Sequence, residues 1–290
     1  MAENFTIITD SSCDLPAKIA EQLHIRVIPL TVTVDGVQYH NFLDERELPF
    51  EQFYTNLPQV KSVTTSAVNI AEFTTVMESE IMTGRDVLYL GFSSGLSATY
   101  SAAVQAAKEL SEKYPTHKIY TVDTLAASMG QGLLVYLAVM EKNKGKSIEE
   151  VRDFVENTKL SLAHWFTVAD LGQLKRGGRI SATTALVGTM LNIKPVLHVD
   201  NDGHLINMFK ARGRAASVKA LFEQMEKTAI EPEKQIVFIS HGNCYDDAKR
   251  LADMVTAKWG CRCVINYVGP VIGAHSGQGT LALFFLASQR

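Results

Sequence analysis

Residues 91–100, Gly-Phe-Ser-Ser-Gly-Leu-Ser-Ala-Thr-Tyr, place three serines, a threonine and two glycines directly after the apolar run 87–90. Hydroxyls in that position have three chemical uses. At a helix N-terminus they stand beside unpaired backbone N–H groups and the positive end of the helix dipole, which together favour an anion. Ser97 is equally placed to cap such a helix, with Ser93 and Ser94 as turn residues. Gly91-Phe92-Ser93-Ser94-Gly95 also fits the G-x-S-x-G pattern of a serine nucleophile after a strand, and His117, His164, His198, His204, His241 and His275 follow it. An α/β serine hydrolase using Ser93 or Ser94 is therefore the rival to an anion site.

Other polar groups sit in comparable places. Asp10, Ser11 and Ser12 follow the apolar residues 5–9, and Asp123 and Thr124 follow residues 119–122. If these strands run parallel, polar residues at three carboxyl ends point to one site. Thr64, Thr65 and Ser66 precede a helix start and either add hydroxyls to that site or form a capping loop, the second being the simpler expectation. Arg179 closes the loop Lys175-Arg176-Gly177-Gly178-Arg179, where it either clamps a carboxylate or phosphate or decorates the surface. His275 stands among small residues in Gly273-Ala274-His275-Ser276-Gly277, which suggests close approach by another part of the molecule.

Several chemistries are disfavoured. Gly172-Gln-Leu-Lys-Arg-Gly-Gly-Arg lacks the Lys-[Ser/Thr] ending of a phosphate-cradling loop, and the G-x-G at Gly130 meets Val135 where a dinucleotide fingerprint needs its third glycine. The four cysteines have no zinc-ligand spacing, so neither a metal nor a cofactor is expected. The formal charge of −3 gives no reason to expect nucleic-acid binding. Charge is uneven, however: residues 171–219 hold eight Lys or Arg against Asp200 and Asp202, either a solvated face or one that meets an acidic partner. The start MAENFTIITD has no signal-like segment. The longest apolar runs, 133–140 and 280–287, are shorter than the roughly 20 residues a membrane helix needs. A cytoplasmic protein without stable membrane insertion is expected.

The elements that must position these groups alternate in the first half. Strands are expected at 5–9, 87–90 and 119–122, and helices at 16–23, with Asp14 near its start, after Asn69, along Tyr100, Ala103, Val104, Ala107 and Leu110, and along Leu133, Leu134, Leu137 and Met140. Asn69 with Glu72 and Ser147 with Glu150 read as capping boxes. Asp35-Gly36 marks a hairpin between 26–34 and 37–42. This βα pattern predicts a mostly parallel sheet covered on both faces, with a small hairpin insertion. In the second half, strands are expected at 162–168, 195–199, 205–211, 236–240 and 263–268, with a turn at Asp200-Asn201-Asp202-Gly203 and a short helix over 182–191. The fold class is α/β, with two packed domains, 1–158 and 159–290.

The motifs together resemble the DegV family, which includes the fatty-acid-binding subunits of bacterial fatty acid kinase. The resemblance runs through Thr9-Asp10-Ser11-Ser12-Cys13-Asp14, Ser93-Ser94-Gly95-Leu96-Ser97-Ala98-Thr99-Tyr100 and Asp123-Thr124-Leu125. It continues in Lys175-Arg176-Gly177-Gly178-Arg179, Ile193-Lys194-Pro195 and Gly269-Pro270-Val271-Ile272-Gly273-Ala274-His275, so it spans nearly the whole chain. It implies a carrier, not an enzyme by itself, that holds a long-chain fatty acid such as palmitate between two domains. The carboxylate would meet Thr65, Ser66, Ser93 and Ser94, with Arg179 and His275 nearby and Thr64 an alternative to Thr65. Apolar lining is expected from 133–140 and 186–190. A separate ATP-dependent kinase subunit would form the acyl phosphate and dock near Lys210, Arg212 and Arg214; a lipid-binding module without a kinase partner is the other reading. The sequence departs from the family at Ala67-Val68, Ala98 and Gln278, where glutamine-proline, glycine and proline are usual.

Overall fold

The computed structural model describes residues 4–180 and 192–290, so the helix expected over 182–191 and the lining expected from 186–190 lie outside the described residues. Along the chain, strand β1 (Phe5–Asp10) leads to helix α1 (Ala17–Gln22) and β2 (Arg26–Ile28). A hairpin of β3 (Thr31–Val34) and β4 (Val37–His40) follows, then α2 (Phe50–Asn56), β5 (Val63–Ser66) and α3 (Ile70–Ile81). The alternation resumes with β6 (Asp86–Gly91), α4 (Thr99–Lys113), β7 (Ile119–Asp123), α5 (Met129–Asn143) and α6 (Ile148–Thr158). Then come β8 (Leu162–Thr167), α7 (Gly172–Arg176), β9 (Ile193–Val199), β10 (Leu205–Arg212) and α8 (Arg214–Thr228). The chain closes with β11 (Ile236–His241), α9 (Tyr245–Trp259), β12 (Arg262–Tyr267), α10 (Pro270–Ser276) and β13 (Leu281–Leu286).

The expected parallel sheet is present, in the order β2-β1-β6-β7. Every residue of β1 is buried, as a strand covered on both faces requires. Both capping boxes form: Asn69 accepts from the Glu72 N–H at 3.0 Å, and Ser147 from the Glu150 N–H at 3.2 Å. The Asp35-Gly36 turn has φ of 47° and 85°, the left-handed pair a tight hairpin demands.

Two readings change, and one strand is new. Residues 63–66 are strand β5, not a capping loop; paired antiparallel with β3, it makes the insertion three-stranded, in the order β4-β3-β5. Asp14 does not open α1. It takes a left-handed backbone (φ 49°) after the short turn 11–13, which turns its carboxylate inward, fully buried. The apolar run 280–287 contains β13, an inner strand of a six-stranded mixed sheet ordered β10-β9-β8-β13-β11-β12. Its unbroken run of apolar residues suits a strand buried on both faces.

Helix α5 joins the two large sheets. Met129, Leu133, Leu134, Val135 and Ala138 are all buried, leaving it apolar around most of its circumference. Such a helix must be enclosed, and α5 packs on β1 and β6 on one side and on β8, β11 and β13 on the other. Its first turn carries Gln131, whose amide donates to Thr9 Oγ1 (3.0 Å) and Asp10 (3.2 Å) and accepts from Ser12 Oγ (3.0 Å).

Candidate functional site

A cavity of about 240 Å³ lies over the inner face of the mixed sheet. Packed interiors have few voids larger than a water molecule, so a space of this size is a built feature. Its floor comes from His164 and Phe166 of β8, Val199 of β9, Ser240 of β11, and Ala282 and Phe284 of β13. The remaining wall comes from the end of β5, the segment before α4, the turn before α5, Arg179 and α10. The expected lining from 133–140 is not part of it, because those side chains fill the core around α5.

One end of the wall is polar. The alternation of β5 turns Thr65 inward and leaves Thr64 exposed, so Thr65 is the threonine that reaches the cavity. Thr65 Oγ1 lies 2.8 Å from His275 Nε2 at the end of α10. Ser66 and Ser97 line the same cavity. Arg179 donates through Nε to the Leu96 carbonyl at 3.3 Å and through Nη1 to the Gly177 carbonyl, which fixes its guanidinium beside His275. A Cβ at Gly177 would collide with His275 Nδ1, so the close approach suggested by the small residues around His275 is made by the glycine loop that carries Arg179.

The charges here are few. Burial, and secondarily the Arg179 cation, pull the His275 pKa down to about 4, so the ring is neutral at pH 7. Arg179 is then the one charged side chain on the described wall, which has no Asp or Glu. A wall that is largely apolar, with one cation beside a neutral imidazole and hydroxyls, suits an amphiphile with a single anionic head.

Ser93 and Ser94 are placed elsewhere. Ser93 is fully buried; its hydroxyl donates to the Gly203 carbonyl at 2.9 Å and accepts from the Gly95 N–H at 3.2 Å. Ser94 is exposed, and its N–H donates to Asp123 at 3.3 Å. Neither lines the cavity. The serine of this loop that does is Ser97, whose hydroxyl accepts from the Thr99 N–H at 3.2 Å while reaching the wall. Sequence reasoning saw Ser97 as a cap, and its place at the start of α4 was the available signal for the second role. Among the described residues no histidine bonds to Ser93 or Ser94, so neither has the general base a nucleophile needs.

The polar ends of β1 and β7 also serve the interior. The Asp10 carboxylate accepts from Tyr89 OH at 2.6 Å and from the N–H groups of Phe92 (3.0 Å) and Ser12 (3.1 Å). Burial nevertheless raises its pKa. Thr124 Oγ1 donates to the Gly91 carbonyl at 2.7 Å. These groups tie the strand ends together rather than facing a ligand.

Of the basic trio, Lys210 and Arg212 are exposed on β10, an edge strand that also exposes Met208 and Phe209. Arg214 is not available in the same way: it pairs with Asp247 at 2.7 Å and donates to Cys244 Sγ at 3.2 Å.

The family model described as "Uncharacterised protein, DegV family" matches residues 4–288. The chain belongs to the DegV family. A DegV domain-containing protein of Clostridium perfringens is 45% identical over 289 residues, covering 99% of each chain. A solved DegV protein of Bacillus subtilis, described as a fatty acid binding protein, is 28% identical with a TM-score of 0.84, covering 99% of this chain and 100% of that one. A DegV family protein of Thermus thermophilus, solved in a study of its fatty acid binding, is 28% identical with a TM-score of 0.87 and covers 98% and 99%. The DegV fold therefore extends over the whole described chain, the mixed sheet and the three-stranded insertion included. Among the described residues no helix is long and apolar enough to cross a membrane, and no group of three or more His, Cys, Asp or Glu is placed to hold a metal ion.

Proposed function

We propose that this protein binds a long-chain fatty acid, with the carboxylate at Thr65, Ser66, Ser97, Arg179 and His275 and the tail over the mixed sheet. The observation that carries the reading is the single cation on the wall of a largely apolar cavity, beside the Thr65–His275 pair. The fatty-acid binding described for the B. subtilis and T. thermophilus relatives supports it. An acyl chain with roughly 14 buried methylenes contributes about 11 kcal/mol gross at about 0.8 kcal/mol each, enough to leave net affinity after the costs of association. Hydroxyls and a neutral imidazole orient the head, and Arg179 neutralises it.

In this reading the protein acts in the cytoplasm as a carrier built of two domains, divided near residue 158. It presents the acid to a separate ATP-dependent subunit that forms the acyl phosphate, with Lys210 and Arg212 of β10 as the docking charges. Native mass spectrometry of the purified protein, followed by lipid extraction, tests the ligand. A bound or readily accepted long-chain acid is expected. A protein that carries none and refuses added palmitate and oleate contradicts the reading.

A further inference from the structure

We propose that Ser128 and Ser240 form a second polar subsite in the cavity wall that takes a hydroxyl group carried on the acyl chain, making a hydroxylated fatty acid a preferred ligand. The proposal rests on the fatty-acid reading above and adds to it the chemistry of the tail.

The two serines share no hydrogen bond with the Thr65–His275 pair or Arg179 and have partners of their own. Ser240 on β11 pairs with Ala282 of β13, which pairs with Phe166 of β8, so its neighbours across the floor are apolar. Ser128, at the start of α5, lies with its Oγ 3.0 Å from that of Ser240, and both residues line the cavity. Behind them is Asp14, fully buried, with Oδ2 2.5 Å from Ser128 Oγ and the Gly269 backbone close to Oδ1. Ser128 holds φ 53° and ψ −149°, a backbone region that disfavours any residue with a Cβ. A serine kept in that conformation, with its hydroxyl at the surface of an apolar cavity, is a poor solution for packing alone.

Hydrogen-bond accounting identifies the ligand group. Each hydroxyl has one proton to donate and accepts in return. With Asp14 ionised, Ser128 donates to it and Ser240 donates to Ser128, which leaves Ser240 Oγ as an acceptor facing the cavity. With Asp14 protonated, the chain reverses and the Ser240 O–H is free to donate. Burial raises the Asp14 pKa to about 8 against the lowering effect of its hydrogen bonds, with a smaller upward push from Asp10, which favours the reversed chain at neutral pH. A methylene meets neither arrangement and a carbonyl meets one; a hydroxyl meets both. The acid's own carboxylate is drawn instead to Arg179, the one cation on the described wall.

The test is calorimetric titration of delipidated protein with octadecanoic acid and with its monohydroxy isomers, the hydroxyl placed at successive positions along the chain. At least one isomer is expected to bind about three- to tenfold tighter than the parent acid, the net contribution of one buried hydrogen bond. Ser240→Ala should abolish that preference, so that the hydroxylated isomers bind no more tightly than the parent acid; Ser128→Ala gives the same readout if Ser240→Ala melts early. The proposal is overturned if no isomer binds wild-type protein more tightly than the parent, or if the preference survives both substitutions. Should the parent acid itself fail to bind, the fatty-acid reading falls first and this one with it, so the two failures are told apart by the parent's own isotherm.

Discussion

Thr65 and His275 stand 210 positions apart in the chain, yet their side chains meet at 2.8 Å on the cavity wall. The contact joins the three-stranded insertion, which carries Thr65 on β5, to α10, which follows the mixed sheet's edge strand β12. Thr65→Ala removes one head-group donor without disturbing the core, since Thr65 is only half-buried. Acid affinity should fall by about fivefold to tenfold, as expected for one net hydrogen bond, with an unchanged melting temperature. Titration with palmitate and a thermal scan check both halves.

Ser97 and Ser93 separate binding from folding. Ser97→Ala should weaken acid binding and, by removing the acceptor of the Thr99 N–H, cost about 1 kcal/mol of stability. Ser93→Ala leaves the buried Gly203 carbonyl and Gly95 N–H without their partner, so it should cost about 1–2 kcal/mol of stability and leave affinity within twofold (a margin of about 0.4 kcal/mol). Urea unfolding beside palmitate titration on both variants reads this out. A large loss of affinity from Ser93→Ala alone would return the head group to the loop's first serine.

Much of the architecture was legible in the sequence. The βα alternation, both capping boxes and the Asp35-Gly36 turn depend on local rules and formed where those rules placed them. What escaped depends on partners distant in the chain. Residues 63–66 become β5 only because β3 offers them an edge, and β13 has no alternating pattern to reveal it because it is buried on both faces. The serine-rich stretch pointed to a polar strand end, but not to which hydroxyl faces the cavity. Gly203, on a hairpin 110 residues away, takes the Ser93 hydroxyl and leaves Ser97 to the wall.

Arg179 should matter for the charge of the ligand more than for its tail. Arg179→Gln is expected to lower affinity for palmitate about tenfold to a hundredfold, the range for a hydrogen bond to a charged group. Affinity for hexadecanol should change little. Equal losses for acid and alcohol would show that the guanidinium packs the cavity rather than neutralising the head.

Asp14 gives a pH signature. Its folded pKa of about 8 lies above the unfolded value of 3.8, so its contribution is fully present below the unfolded value and is lost as pH rises through about 8. The melting temperature of Asp14→Asn relative to wild type should therefore climb between pH 4 and pH 8. A difference that stays flat over this range would mean that the carboxyl is ionised in the folded protein.

His275 works in the opposite sense. Its folded pKa of about 4 lies below the usual 6.5, so the unfolded chain takes up a proton first and stability falls as pH drops from 6.5 toward 4. His275→Gln should melt closer to wild type, or above it, at pH 4.5 than at pH 7 (values about the two ends of that window). Paired thermal scans of the variant and the wild type isolate this from the contribution of Asp14.

The account is tested most directly by a crystal structure of the protein saturated with palmitate. It predicts a carboxylate within hydrogen-bond distance of Thr65 Oγ1 or Ser97 Oγ and close to Arg179, with the tail running over Phe166, Ala282 and Phe284. An empty cavity, or an acid bound the other way round with its carboxylate at Ser128 and Ser240, would contradict it.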